Sequence, residues 1–288
     1  MARRKKGRAK AAGKTEPAFV SVDQALAVLE ALAASPDGMT CPELAAEIGA
    51  PAWTVERVVE SLREAGFVTA ATARWRLSLK VVGLAYRFMW TLDWKHYYMD
   101  ALEELSLATG ELAQIAVVNQ AGLVAIDKVE GKHALRVASV VGTDIPPHAT
   151  AGGKAWLASL DERALEQALA RWPLVAFTDH TITERPALDA ELASIRARGY
   201  AVGHEEYYPG VSAVAAPIRV EGQETVVGAV SVAFPSSMPP DVVERYAQAT
   251  VACAAALKEF GIRVHEEMAG QGDPARRRSS PSRTAPRR

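Results

Sequence analysis

The sequence predicts an α+β chain in two parts, a small helical unit closed by a hairpin and then a larger domain of mixed strands and helices. Three observations predict it. Apolar residues recur at helical spacing in three short runs between 22 and 62, and two strand-like runs follow at 67–77. From about 117 onward, strands cluster at both ends of a segment whose middle is helical. A length of 288 residues accommodates two ordinary domains.

The first helix begins at Ser21, a suitable N-cap, and carries Val22, Ala25, Leu26, Val28, Leu29 and Leu32 on its apolar positions. Ser35-Pro36-Asp37-Gly38 ends it. Thr40-Cys41-Pro42-Glu43 reads as a capping box, with proline tolerated in the first turn, and opens a short helix that Gly49 stops. A third helix starts at Pro51, buries Val55, Val58, Val59 and Leu62, and ends at Gly66. Phe67-Val68-Thr69 and Arg74-Trp75-Arg76-Leu77 form the two arms of a hairpin. Helix, short helix, tight glycine turn, helix and hairpin is the order of a winged helix-turn-helix, whose third helix can enter a major groove while the wing lies along phosphates. A three-helix packing module would show the same apolar pattern.

From Leu79 to about Trp94, Val81, Val82, Leu84, Ala85, Phe88, Met89 and Leu92 cover too much of a helix for it to pack on one side only. A partner chain is expected against it. Another helix runs to about Ala108 and closes at Gly110. In the larger domain, strands are expected at 117–118, 123–126 and 135–138. Helices follow at 152–159, 161–170 and 187–198, then strands at 200–202, 211–218 and 226–234, and a final helix from Asp241 to about Phe260.

Charge is distributed unevenly. Residues 1–14 hold seven basic side chains and no acid, and residues 271–288 hold six arginines against the single acid Asp273, so a net charge of -1 conceals an acidic body. Such arms are expected to be flexible and able to neutralise a polyanion. Cys41 and Cys253 make no disulfide framework and no Cys-x-x-Cys pair. No apolar run approaches the roughly 18 residues of a membrane span, and a soluble cytoplasmic protein is expected.

Four stretches, in order, resemble the IclR family of bacterial transcription regulators between about Phe19 and Phe260. They are Ser21–Leu32 with Cys41–Gly49; Thr54-Val55-Glu56-Arg57-Val58-Val59-Glu60-Ser61-Leu62 leading to Ala65-Gly66-Phe67; Pro146-Pro147-His148-Ala149-Thr150-Ala151-Gly152-Gly153-Lys154-Ala155; and Gly199–Val202 through Glu205-Glu206-Tyr207-Tyr208-Pro209-Gly210 to Ala216-Pro217-Ile218. The resemblance implies a winged helix-turn-helix joined by a linker helix to a GAF-like mixed α/β sensor domain. It also implies double-stranded operator DNA and a small metabolite as partners, and a homodimer or dimer of dimers.

The expected organisation is a basic flexible arm at 1–18, the DNA-binding domain at 19–78, a linker and dimerisation helix at 79–94, an effector-binding domain at 95–262 and an Arg-rich flexible tail at 263–288. DNA contact is expected from Trp53, Thr54, Glu56, Arg57, Arg74 and Arg76. Arg57, Arg74, Arg76 and the N-terminal arm must supply most of the phosphate attraction, because Glu56, Glu60 and Glu64 oppose it. Glu56 can also accept from cytosine N4. Trp53, where the family usually has a small polar residue, packs on sugar-phosphate or in the core.

The two glycines after Ala151 open a helix whose backbone N–H groups suit a carboxylate. Carried over from the family, the ligand-facing backbone falls at Ala151 and Gly152. The other positions fall at Gly203, Ala213, Ser231 and Ala233, with Val211 and Leu135 in the apolar lining. Only Ser231 among them keeps a hydroxyl, which implies an effector larger or more apolar than a two- or three-carbon acid.

Chemistry of the chain's own is not expected. The six histidines show no metal-ligand spacing, and no cofactor or metal is expected. Ser212 lies in Gly210-Val211-Ser212-Ala213-Val214, which lacks the second glycine of a nucleophile elbow. Glu205 and Glu206, being adjacent, are expected to point apart or mostly to water. The alternative is a small-molecule hydrolase, or a ligand sensor that binds no operator.

Overall fold

The computed structural model describes residues 21–119, 122–132, 141–142 and 144–271. The chain divides into two compact units, the first ending at Thr91 and the second beginning at Leu92. Both basic arms, and the strand expected at 135–138, lie outside the described residues.

In the first unit α1 (Val22–Ala33), α2 (Cys41–Glu47) and α3 (Ala52–Glu64) close on Val28, Leu32, Leu44, Val55, Val58, Val59 and Val68. The capping box forms as expected: Thr40 Oγ1 accepts from Glu43 N–H at 3.4 Å, and Glu43 Oε2 accepts from Thr40 N–H at 2.8 Å. The Thr40 N–H donated to the Glu43 carboxyl, with the Thr40 hydroxyl and Arg74 nearby, holds that carboxyl below the usual carboxylate range. Ser21 is the N-cap of α1 but makes no side-chain capping bond, while its carbonyl accepts the first helical bond, from Ala25 N–H at 3.1 Å. The wing is β1 (Val68–Ala71) paired antiparallel with β2 (Arg74–Leu77) across Thr72 and Ala73, both left-handed at φ 51 and 63. That two-residue turn matches the twist of a hairpin, at a steric cost that glycine would have avoided.

The linker helix α4 (Leu79–Leu92) has no buried residue, and Leu79, Tyr86 and Trp90 are 85%, 73% and 87% exposed. It stops two residues before the expected end, because Asp93 turns left-handed (φ 52) and Trp94 joins the core of the second unit.

The second unit is a six-stranded sheet between two helical layers. Its order is β5-β4-β3-β8-β7-β6, with β3 Leu112–Val118, β4 Leu123–Val129, β5 Asp144–Ile145, β6 Ala201–His204, β7 Val211–Arg219 and β8 Val226–Pro235. Each described ladder is antiparallel. One face carries α5 (Lys95–Thr109), α9 (Pro240–Ala256) and α10 (Lys258–Gln271) over Tyr98, Ile115, Val214, Val230 and Phe260. The other face carries α6 (Ala151–Leu157), α7 (Glu162–Arg171) and α8 (Arg185–Arg198) over Ala116, Ala201, Ala215 and Ala229. Alanines on that second face let α6 approach the strands closely.

The C-terminal end differs from the expectation. The final helix breaks at Leu257 and restarts, so residues 263–271 form the end of α10 where a flexible tail was expected. Phe260 and Val264, one turn apart, are fully buried and anchor it, while a Cβ at Gly261 would sit 2.7 Å from Arg219 O.

Candidate functional site

The candidates for DNA contact lie on α3 and on the wing of the first unit. Val55, Val58 and Val59 turn inward on α3, which leaves Trp53 and Glu56 exposed and Thr54 and Arg57 half-buried. Trp53 is 62% exposed, which removes the core reading for it. Glu60 pairs with Arg63 at 2.5 Å, so two charges of the outer face cancel locally. Arg74 is engaged within the unit. Its Nη2 and Nε donate to Gly38 O at 2.7 and 3.1 Å and its guanidinium pairs with Glu43 at 3.1 Å, which staples the wing to the start of α2. Arg76 is exposed and donates only Nε to Asp37 O, at 3.1 Å, among the bonds described. Of the two wing arginines, Arg76 is therefore the less engaged by the described bonds.

In the second unit the carried-over positions fall into register. Gly203, Ala213, Ala233 and Leu112 form one row across β6, β7, β8 and β3. Ala201, Ala215, Ser231 and Gln114 form the next row on the same face, and β4 adds Lys128 beside Gln114. Paired residues share a face, so these rows look toward α6. Ala213, Ser231, Ala233 and Val211 are only partly buried there, whereas their neighbours Ala215 and Ala229 are sealed. The result is a floor of small residues that the helices do not fully seal. Gln114 and Lys128, which the sequence reading passed over, bring polarity to its edge. Their strand was legible, but not the register that aligns them with Ser231.

A Cβ at Gly203 would lie 3.3 Å from Ala151 N, so this glycine lets α6 approach β6 closely. Leu135 lies outside the described residues. At the start of α6, Thr150 Oγ1 accepts from Gly153 N–H at 3.2 Å and donates to Pro146 O at 2.9 Å. Among the described residues, no bond is made to the N–H of Ala151 or Gly152. Gly153 is required by contact: a Cβ would fall 2.4 Å from Pro147 O.

Glu206 corrects an expectation. It is buried, and its Oε1 accepts from Lys154 Nζ at 2.5 Å. Lys154, 1% exposed, also donates to Val202 O at 2.9 Å and has Glu191 at 3.6 Å. Thr181 Oγ1 donates to Glu206 O and Thr178 Oγ1 to Glu205 O, both at 2.6 Å, tying the 175–181 segment over the 205–210 loop. The outward Glu205 accepts from Gly210 N–H at 2.7 Å, which lowers its carboxyl below the usual range.

The nearest approach to hydrolytic geometry is His204 Nδ1, 3.0 Å from Ser212 Oγ. Ser212 is 4% exposed, so its hydroxyl cannot meet a substrate carbonyl. Burial pushes the Cys253 thiol up to about 12, far from a reactive thiolate. Among the described residues no three His, Cys, Asp or Glu are grouped to hold a metal.

A winged helix-turn-helix followed by a sheet domain with a half-open floor defines a DNA-binding regulator with a sensing domain. Comparison with known proteins gives the family. Residues 21–71 match the IclR helix-turn-helix domain, and residues 90–259 match the bacterial transcriptional regulator IclR C-terminal domain. The transcriptional repressor IclR of Escherichia coli is 31% identical over 244 residues, covering 82% of this chain and 88% of that one. A crystal structure of an IclR-type regulator from Silicibacter is 28% identical with a TM-score of 0.71, covering 83% of this chain and 96% of that one. An IclR homologue from Microbacterium hydrocarbonoxydans, solved with 4-hydroxybenzoate, shares the fold at 22% identity with a TM-score of 0.69, covering 83% and 97%. The chain belongs to the IclR family of DNA-binding transcription regulators, whose members are not enzymes. Among the described residues no helix is long and apolar enough to cross a membrane.

The Lys154 cluster generates a stability prediction. Lys154→Met strands Glu206 without its cation inside the protein and is expected to cost about 3–5 kcal/mol. Urea unfolding followed in the second unit checks it, and a loss below about 1 kcal/mol would show that Glu206 reaches water instead.

Proposed function

We propose that this chain binds operator DNA as a dimer through α3 and the wing, and that a carboxylate effector on the β6–β7–β8 floor controls that binding. The observation that carries the proposal is the partly buried row of Ala213 and Ala233, with Ser231 and Val211 beside it, under the start of α6. Small side chains there leave space for a body larger than a two- or three-carbon acid, and the N–H groups of Ala151 and Gly152 supply donors that a buried carboxylate needs. The 4-hydroxybenzoate held by the Microbacterium fold-mate has that size and charge and serves as the first probe.

Ala213→Leu is expected to overfill the floor and weaken 4-hydroxybenzoate binding about tenfold or more, with DNA affinity unchanged. Isothermal titration of both forms decides it, and equal affinities would place the ligand elsewhere.

On the DNA side, Arg57→Ala is expected to weaken binding to the chain's own promoter region by roughly 1–3 kcal/mol. Gel shifts at fixed salt measure it, and an unchanged Kd removes Arg57 from the interface.

The proposed dimer rests on α4, whose apolar residues point outward around the helix. Light scattering at micromolar concentration is expected to give at least twice the chain mass of 30.8 kDa. A monomer would contradict the assignment of α4 to a partner copy.

A further inference from the structure

Three consecutive carbonyls follow the last turn of α3, and each is answered from the start of α4. Ala65 O accepts from Lys80 Nζ at 2.5 Å, Gly66 O from Ser78 Oγ at 2.5 Å and Phe67 O from Ser78 N–H at 2.8 Å. Ser78 Oγ in turn accepts from Lys80 N–H at 3.1 Å, and Ser78 O from Val81 N–H at 3.2 Å, so α4 begins on the clamp itself. The lysine stem lies over Gly66, where a Cβ would touch its Cδ at 3.5 Å. Its ammonium stands 4.7 Å from the centre of the Phe67 ring. Carbonyls at a helix C-terminus carry partial negative charge and an aromatic face attracts a cation, so both partners hold the ammonium.

Beyond that first turn, α4 has little hold on its own unit. It buries no residue, and among the described hydrogen bonds and ring contacts Lys80 is the one α4 side chain that reaches the winged helix-turn-helix. The angle between α4 and α3 is therefore set at this junction. With α4 held against a partner copy, a tilt at the junction swings α3, whose 13 residues reach about 20 Å from it. A swing of about 10° moves the far end of α3 by roughly 3.4 Å, the length of one base-pair step. Each such step also turns the groove by about a tenth of a helical turn. A loose junction would let a dimer meet half-sites at several separations, and a rigid one restricts it to a single separation.

We propose that Lys80 is a positioning residue that fixes the angle between α4 and α3, and through it the half-site spacing that a dimer accepts on DNA. This rests on the α4 dimer proposed above and adds a specificity determinant that lies outside α3 and the wing. Two copies joined along α4 carry the angle twice, so a change at Lys80 acts on both half-sites.

The test compares the full chain as wild type, Lys80→Met and Lys80→Arg. Methionine keeps the stem over Gly66 and removes the N–H donors and the charge. Arginine keeps a cation for the Phe67 ring and a donor for Ala65 O. The probes are duplexes carrying two copies of the half-site footprinted in the chain's own promoter region, at the natural spacing and one or two base pairs shorter or longer. A duplex with a single half-site is the control. Gel shifts at fixed salt give the spacing profile, light scattering the oligomeric state and urea unfolding the stability. Wild type is expected to bind its best spacing about tenfold more tightly than the others, because avidity is lost when geometry forbids joint engagement. Lys80→Met is expected to flatten that preference to about threefold or less, with the dimer and single half-site affinity unchanged. Lys80→Arg is expected to keep the profile. A lysine that only stabilises the unit would lower the urea midpoint in Lys80→Met and leave the spacing profile intact, which overturns the proposal. An equal loss on every duplex, the single half-site included, overturns it too, as does a Lys80→Met variant that turns monomeric. A monomeric wild type ends the α4 dimer reading and this one with it. A dimeric wild type whose methionine variant keeps the profile ends this one alone.

Discussion

The sensing end of the second unit depends on one buried cation. Lys154 sits at the middle of the seven-residue α6, and almost none of it reaches water. Three oxygens offset the cost of burying that charge: Val202 O from β6, Glu206 from the following loop and Glu191 from α8. One ammonium therefore fixes the distance between a helix, a strand, a loop and a second helix. The glycines follow from that distance. With α6 drawn down onto β6, no Cβ fits at Gly153 against Pro147, and one at Gly203 would crowd Ala151 N.

Close packing on the β6 side has a consequence further along the sheet. Ala201, Ala215 and Ala229 are sealed beneath the helices, and Ala213 and Ala233, one step along, are not. The same small side chain closes a gap in one row and leaves one in the next. In the proposed reading this gradient is the pocket, and its polar edge comes from Ser231, Gln114 and Lys128, one from each of three adjacent strands.

Much of this was legible in the sequence, and the reasons are local. The Thr40–Glu43 box, the Gly110 stop and the period-2 run at 226–234 are each set by a few consecutive residues, and each formed. What escaped was set by partners distant in sequence. Glu206 reads as a solvated loop acid until Lys154, 52 positions away, is placed against it. Arg74 gives no local sign that Gly38 O and Glu43 take its donors. The same holds for β3, whose first residues Leu112–Ala116 look unpatterned because a strand flanked on both sides and covered on both faces shows no alternation. The end of α10 was missed because the basic run from Arg276 onward masked the turn-spaced Phe260 and Val264.

Among the described residues, the DNA-binding unit carries few unpaired cations on the outer face of α3 and the wing. Glu60 neutralises Arg63, Glu43 neutralises Arg74, and Glu56 adds a negative charge to the exposed face of α3. In the proposed reading, DNA contact draws on Arg57 and Arg76 of this face and on the seven cations of residues 1–14. The described face by itself supplies only a small part of the counterion release that drives DNA affinity. Joining two copies makes the second half-site an intramolecular event, which can raise overall affinity by orders of magnitude with no new contact per protomer. In this reading the outward apolar residues of α4 strengthen DNA binding, because the recognition helix itself carries little net positive charge. An effector then needs only to change how well two weak half-sites are presented together.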